Sequence, residues 1–274
     1  MTTDLYIIAA GKGSRLGGNI PKALVPITDK PCLTTTLQQI GHRFEHVFIV
    51  INKDVSSQWL KYADDLAQRY PELTKNVNYI PISSGLGDGH AVMHGFAEAR
   101  SVSNYKVSKG LMRVGTSDDV VIMWGDVFIQ YAEIVDELLA FDGSEHSGLI
   151  PAVRENNPYV SLLVNDHMRC VSADFSKYGE NHPTGFHDQS IFRFKRETLW
   201  DALTSLHSAF WKGGRYITPG GELSMLYVFH YLYNNENPAT VYETSYPTLS
   251  FNTLAEVATI QKEIDKSWKL RNPS

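Results

Sequence analysis

Four short apolar runs punctuate the first half of the chain, at residues 5–10, 47–51, 77–80 and 120–124. None alternates apolar with polar along its length, the pattern of a strand covered on both faces. Between them the spacing becomes helical. Residues 33–40 carry one such stretch, and residues 56–70 another, with Trp59, Leu60, Ala63 and Leu66 on one side and Pro71 closing it. A third helix is expected over about 91–99. Strands alternating with helices predict an α/β fold, Rossmann-like and doubly wound, with a mostly parallel mixed sheet and helices on both faces. Ligands of such sheets gather outside the carboxyl ends of the strands. The loops after Ala10, Ile80 and Trp124 all fall on that edge.

After residue 150 the rhythm changes. Residues 149–153, 161–164, 169–172 and 190–194 read as short strands separated by polar turns, an insertion packed on the same sheet. Helices follow over about 196–206 and 222–233, then a strand over 239–242. A last helix, 253–268, has Asn252 as its N-cap. No repeat, low-complexity tract or linker interrupts the chain. The expectation is one domain over 1–274, with a first lobe (1–150), a second lobe (151–250) and a C-terminal helix (251–274).

Composition narrows the classes. The 274 residues are 43% hydrophobic and 20% charged, enough for a substantial core. A net charge of −5 with no basic tract argues against a nucleic-acid partner. Cys32 and Cys170 form no spacing framework for disulfides or zinc. No apolar run approaches the roughly 20 residues that span a bilayer, so no membrane partner is expected. Met1-Thr2-Thr3 leads straight into the first strand, which leaves no room for a signal peptide and points to the cytoplasm. A homo-oligomer is compatible with all of this.

The candidate chemistry starts where the first strand ends. Ala9 and Ala10 run into Gly11-Lys12-Gly13-Ser14-Arg15-Leu16-Gly17-Gly18, followed by Pro21-Lys22. Backbone without Cβ atoms lets N–H groups close on an anion, and Lys12, Arg15 and Lys22 add positive charge. Such a loop suits phosphate. It is not the dinucleotide fingerprint, whose third glycine is replaced by Leu16, and no Gly-Lys-Ser/Thr ending makes it a P-loop. Asp126, after a buried strand and Gly125, is projected at the ligand edge, where a lone carboxylate suits Mg²⁺. Ser83 to His90 supplies further glycines ahead of a helix N-terminus. His90 and His94 lie four apart, but no Glu follows His90 and no third ligand is evident, so local packing is the reading preferred to zinc.

Ala9-Ala10-Gly11-Lys12-Gly13-Ser14-Arg15-Leu16 with Pro21-Lys22-Ala23-Leu24 resembles the signature of the sugar-1-phosphate nucleotidyltransferases, the MobA-like NTP transferase type. Within that family the chain is most similar to N-acetylglucosamine-1-phosphate uridylyltransferase domains. The resemblance implies a nucleotide site at Ala9, Ala10, Gly11, Lys12, Gly13 and Ser14, continued by Ser84, Gly85, Gly87 and Asp88. It implies catalytic roles for Arg15, Lys22 and Asp126, with Mg²⁺ held by Asp126, in Trp124-Gly125-Asp126-Val127, and by Asn252. Lys177 stands where the hexose-phosphate branch has a Glu-Lys pair, though Ser176 replaces the glutamate, so Lys177 is the expected acceptor-phosphate contact.

Past residue 150 the chain departs from the pattern. Val160-Ser161 replaces a Gly-Arg pair, Asp188-Gln189-Ser190 replaces an Asn-Thr-Gly, and Ser83, Ser84 and Gly85 stand where glutamines face uracil. There are no hexapeptide repeats. The implied reaction joins an NTP (UTP, CTP or dTTP) to a phosphorylated small-molecule acceptor, a sugar 1-phosphate first, and releases pyrophosphate. Three alternatives stand beside it. One is a cytidylyltransferase for a small phospho-alcohol or phosphonate, with Tyr159, Phe175, Tyr178 and Phe186 around a cationic head group and Asp188 pairing with it. The others are a non-catalytic nucleotide-sugar sensor and a nicotinamide oxidoreductase.

Overall fold

All four apolar runs form strands in the computed structural model, which describes residues 2–11, 13, 16, 20–83, 85–108, 117–141 and 146–271. In chain order the first half reads β1 (Thr3–Ala9), α1 (Cys32–Ile40), β2 (Val47–Asn52), α2 (Ser56–Arg69), β3 (Val77–Ile82), α3 (Asp88–Ser108), β4 (Asp119–Trp124), β5 (Val127–Phe128) and α4 (Glu133–Ala140). The second half continues with β6 (Gly148–Asn156), β7 (Val160–Val164), β8 (Cys170–Phe175), β9 (Thr184–Asp188), β10 (Ile191–Lys195) and α5 (Arg196–Phe210). It ends with β11 (Trp211–Lys212), β12 (Arg215–Tyr216), α6 (Tyr227–Asn234), β13 (Thr240–Glu243), β14 (Leu249–Ser250) and α7 (Leu254–Arg271).

One sheet runs through both halves in the order β3-β2-β1-β4-β10-β6-β9-β7-β8, with β13 alongside β6. β3, β2, β1 and β4 are parallel, with Leu5 opposite Val47 on one side and Val121 on the other. The direction reverses at β10, which lies antiparallel to β4 with Phe192 opposite Ile122. β10, β6, β9, β7 and β8 extend the same sheet by antiparallel pairing, while β13 joins β6 in parallel.

Helices cover both faces, as solid apolar strands require. Tyr6, Ile8 and Ala10 of the first strand and its end face α3, α5 and α6, through Val92, Phe96, Leu203 and Phe229. Leu5, Ile7 and Ala9 face α1, α2 and α4, through Leu37, Trp59 and Ile134. A one-residue slip of β1 would exchange the two sets, so the register is held by burial on both sides. Each fully buried side chain of this kind contributes roughly 1.5–3 kcal/mol. Two buried arginines tie β10 and α5 to the parallel strands. Arg193 bonds Asp119 and caps the end of α4 through the carbonyls of Leu138, Leu139 and Phe141. Arg196 bonds Asp4 and the Tyr6 hydroxyl.

Several boundaries differ from the sequence reading, for local reasons. α3 begins at Asp88 rather than 91, because the Asp88 carboxylate accepts the Gly89 N–H at 2.7 Å and starts the helix itself. The helix expected over 222–233 is shorter, Tyr227–Asn234, because the Leu223 and Met225 N–H groups bond across to Leu86 and Asp88 instead of along a helix. The last helix starts at Leu254, and its N-cap is Thr253, not Asn252. The Thr253 hydroxyl accepts the Glu256 N–H at 3.3 Å while the Glu256 carboxylate accepts the Thr253 N–H at 2.8 Å, a reciprocal capping box.

Candidate active site

The site is assembled on a small third core made of Val25, Ile27, Cys32, Phe128, Phe251, Val257 and Ile260. Each chemical group extends from a segment anchored there. Lys22 opens a short turn: the Leu24 N–H bonds the Pro21 carbonyl at 2.8 Å, the Val25 N–H bonds the Lys22 carbonyl at 3.0 Å, and Ala23 is buried. Asp126 sits in the turn between β4 and β5, where the Gly125 N–H bonds the Ile8 carbonyl at 2.9 Å. Asn252 follows β14, and β14 pairs antiparallel with β5, Ser250 opposite Val127. That ribbon brings Asn252, the second residue past β14, close to Asp126, the residue before β5.

The result is a three-point contact. Lys22 Nζ donates to Asp126 Oδ2 at 2.9 Å and to Asn252 Oδ1 at 2.7 Å. Because Thr253 does the capping, the Asn252 amide is free to face Lys22, and the Asn252 N–H is taken by the Glu256 carboxylate. These backbone bonds, foremost the one from Asn252, hold the Glu256 carboxyl below its ordinary range. Asp126 and Asn252 present two hard oxygens to one cationic point, a donor set of the kind Mg²⁺ takes alongside substrate phosphates and water.

Beside this contact lies a cavity of about 500 Å³ on the carboxyl edge of the sheet. Lys22, Asp126, Ala10 and Gly11 form one wall, and Ser83, Gly85, Leu86, Gly87 and Asp88 another. Ile8, Ile82, Ala91 and Trp124 supply apolar surface to the same cavity. Ala9 points to the opposite core, so only its backbone belongs to this edge. Gly13 has φ +63° and its carbonyl accepts the Leu16 N–H at 2.9 Å. Lys12, Ser14, Arg15 and Ser84 lie outside the described residues.

The second wall is stitched to the distal half of the chain. The Gly89 N–H bonds the Leu223 carbonyl and the Leu223 N–H bonds the Leu86 carbonyl, each at 2.9 Å. Asp88 Oδ1 accepts the Met225 N–H at 2.7 Å as well as that of Gly89. Asp88 is thus a structural clamp at the cavity wall. Burial pushes its carboxyl up, the two N–H donors and nearby Lys177 pull it down, and Glu222 adds to the rise. The stitch also brings Glu222 to the cavity, an exposed carboxylate that the sequence reading had assigned only to a helix. The Pro219-Gly220-Gly221 turn just ahead of it was the available signal.

Two expected acceptor contacts lie off the cavity wall. Asp188 is buried, and its Oδ1 accepts the Ser190 N–H at 2.8 Å, holding the β9–β10 turn where Ser190 has φ +57°. Burial pushes its carboxyl up. Lys177 follows β8, its ammonium over the rings of Phe175 and Tyr178 at 5.3 and 4.8 Å from their centroids. Phe186 is likewise covered, by Arg154 at 4.2 Å. His90 Nδ1 lies 2.7 Å from the Tyr216 hydroxyl and its ring 4.2 Å from that of His94. Among the described residues no group of three or more His, Cys, Asp and Glu side chains is disposed to hold a metal ion, and no helix is long and apolar enough to cross a membrane.

Residues 5–191 match the family model described as the MobA-like NTP transferase domain. Among curated proteins, the bifunctional protein GlmU of Hydrogenovibrio crunogenus is 28% identical over 181 residues, covering 61% of this chain and 32% of that protein. GlmU of Pseudomonas putida (strain GB-1) is 26% identical over 176 residues, with coverage of 63% and 32%. The chain spans about a third of the length of these curated relatives. Solved structures share the fold, and two serve as examples. HddC from Yersinia pseudotuberculosis superposes with a TM-score of 0.62 at 15% identity, over 95% of this chain and 99% of its own. The CTP:phosphocholine cytidylyltransferase LicC of Streptococcus pneumoniae gives 0.64 at 14%, over 96% and 100%. With more than half of its length matched by one family model, the chain belongs to the MobA-like NTP transferase domain family.

Proposed function

We propose that this chain is a nucleotidyltransferase that joins the nucleoside monophosphate part of UTP, CTP or dTTP to a phosphorylated small-molecule acceptor, a sugar 1-phosphate first, and releases pyrophosphate. The observation that carries the reading is the meeting of Lys22, Asp126 and Asn252 at the mouth of a glycine-lined cavity. Family membership and the similarity to GlmU support it.

An oxygen of the acceptor phosphate attacks the α-phosphorus, and the bond from that phosphorus to the bridging oxygen breaks, with pyrophosphate leaving. The acceptor phosphate has a second pKa of about 6, so near neutral pH it is largely a dianion and needs no general base. What the protein must supply is alignment of two polyanions and compensation of charge at the α-phosphate. Lys22 supplies that charge, with the backbone donors of the Gly11–Gly13 loop beside it and Arg15 on the departing pyrophosphate. Asp126 and Asn252 would hold Mg²⁺. Bound there, the ion would neutralise phosphate charge as a Lewis acid. Lys177, within electrostatic reach of Asp88 at the cavity wall, takes the acceptor phosphate.

A phosphocholine-like acceptor is the second reading, favoured by the aromatic rings of Phe175 and Tyr178. Those rings already hold the Lys177 ammonium, which keeps the sugar phosphate first. The test is a pyrophosphate-release panel of UTP, CTP, dTTP and GTP with Mg²⁺ against sugar 1-phosphates, phosphocholine and small phosphonates. Release with one pair supports the enzyme reading and names base and acceptor. Silence across the whole panel overturns it.

A further inference from the structure

The Lys22 ammonium occupies the point on which the carboxylate oxygen of Asp126 and the amide oxygen of Asn252 converge, at 2.9 and 2.7 Å. These are the same two oxygens that a divalent ion would need. An ammonium and a divalent ion bonded to one oxygen pair repel each other at contact range, so the two occupants exclude one another. We propose that Lys22 plugs the cation site of the nucleotide-free protein and leaves it only when a polyphosphate offers the ammonium new partners. Cation and nucleotide then bind synergistically, and the site resists a divalent ion alone. This rests on the metal part of the function proposed above.

The local architecture suits a side chain that moves over a backbone that does not. The Lys22 backbone is fixed by Pro21, by the two turn hydrogen bonds and by buried Ala23. Its stem is a flexible four-carbon chain, and the ammonium is a point charge with no directional fork to hold it in one place. The contact is also open to the cavity: the Lys22 and Asp126 side chains are 21% and 24% exposed, enough for an incoming phosphate to reach the ammonium. Their partners are fixed too. Asp126 sits in the tight β4–β5 turn, and the Asn252 backbone is locked by Glu256. Of the three groups, the lysine is the one built to leave.

Linkage then sets the outcome. A ligand that must displace an internal partner binds more weakly by the free energy of that contact, and anything that draws the partner away restores the affinity by the same factor. A charge-assisted hydrogen bond to Asp126 corresponds to about ten- to a hundredfold in affinity.

The experiment titrates Mn²⁺ into the nucleotide-free full chain and follows the free ion by electron paramagnetic resonance. Wild type is compared with Lys22→Met and Lys22→Gln, each also combined with Asp126→Asn. Both single variants should bind Mn²⁺ ten- to a hundredfold more tightly than wild type, and Asp126→Asn should abolish the gain. Two variants guard against one failing to fold, and circular dichroism identifies which are native. Turnover of wild type with and without a chelator is measured alongside. If chelation stops turnover while folded Lys22 variants bind Mn²⁺ within threefold of wild type, the plug is overturned and the metal reading stands. If chelation leaves turnover unchanged, the metal reading fails and the plug falls with it.

Discussion

Replacing Gly87 by alanine, with Gly85→Ala as its control, tests the stitch between the two cavity walls. The two glycines share a backbone conformation, with φ of +95° at Gly85 and +98° at Gly87. Alanine in that left-handed region costs about 1–2 kcal/mol at either site. The surroundings differ completely. A Cβ at Gly85 meets nothing within 4 Å, whereas one at Gly87 would lie 2.3 Å from the Leu223 carbonyl oxygen and 2.8 Å from its carbon. That carbonyl is the acceptor of the Gly89 N–H. Gly87→Ala must therefore push the Leu223 segment away and forfeit the Gly89–Leu223 and Leu223–Leu86 bonds, about 1 kcal/mol net for each. The expected losses are about 1–2 kcal/mol for Gly85→Ala and about 3–4 kcal/mol for Gly87→Ala. At about 2–4 °C per kcal/mol for a chain of this size, Tm should fall by about 2–8 °C in the first and about 6–16 °C in the second, two to three times as far. Thermal unfolding of the ligand-free chain by circular dichroism reads both. Equal falls would show that the Leu86–Gly89 and Leu223–Met225 segments do not bear on each other as described.

Three further outcomes are expected. Lys22→Ala should lower kcat by a hundredfold or more in pyrophosphate release, the scale of one lost transition-state donor; turnover within threefold of wild type would remove Lys22 from the machinery. Glu222→Gln should raise the acceptor KM at least tenfold with kcat little changed, since a charged acceptor of hydrogen bonds is worth about 1.5–3 kcal/mol; an unchanged KM would leave Glu222 a bystander at the cavity. The third concerns pH. Burial, then the neighbouring His94 and His207, push His90 down to about 4 in the folded chain, while the unfolded value is near 6.5. The unfolded state thus binds more protons between those values, so stability is complete above about pH 6.5 and drains as pH falls toward 4. Urea unfolding should show a loss of about 2 kcal/mol from this group between pH 7.5 and 5. A His90→Gln chain that loses stability just as steeply would refute the assignment.

What could be read from the sequence divides along the same physical line. The parallel half declared itself because strands buried on both faces are solid apolar runs, and each of the runs at 5–10, 47–51, 77–80 and 120–124 became a strand. The meeting of Lys22, Asp126 and Asn252 followed from a resemblance, and no spacing in the chain reveals it. It depends on the β5–β14 ribbon, two residues a side, too short to leave a periodicity. Asn252 reads as a cap because caps and polar ligands use the same side chains, and the Thr253–Glu256 pair, a Thr-x-x-Glu in the sequence, shows only that the cap is Thr253. Glu222 escaped because its place depends on a hydrogen-bonded contact between segments more than a hundred residues apart. Asp188 shows the converse: the sequence offers it as a partner for a cationic head group, and the fold buries it with its carboxylate on the Ser190 N–H.

The division of labour at residues 252 and 253 has a consequence for handling this protein. A chain cut after Phe251 would keep every strand of the great sheet and both of its large cores. It would nonetheless have lost Asn252 and the helix that aims it, together with the Val257 and Ile260 side chains that press the ribbon into place. Trimming this end for crystallisation or expression would therefore remove one of the two groups that meet Lys22, so a test of the proposed activity belongs on a chain that keeps residues 252–271.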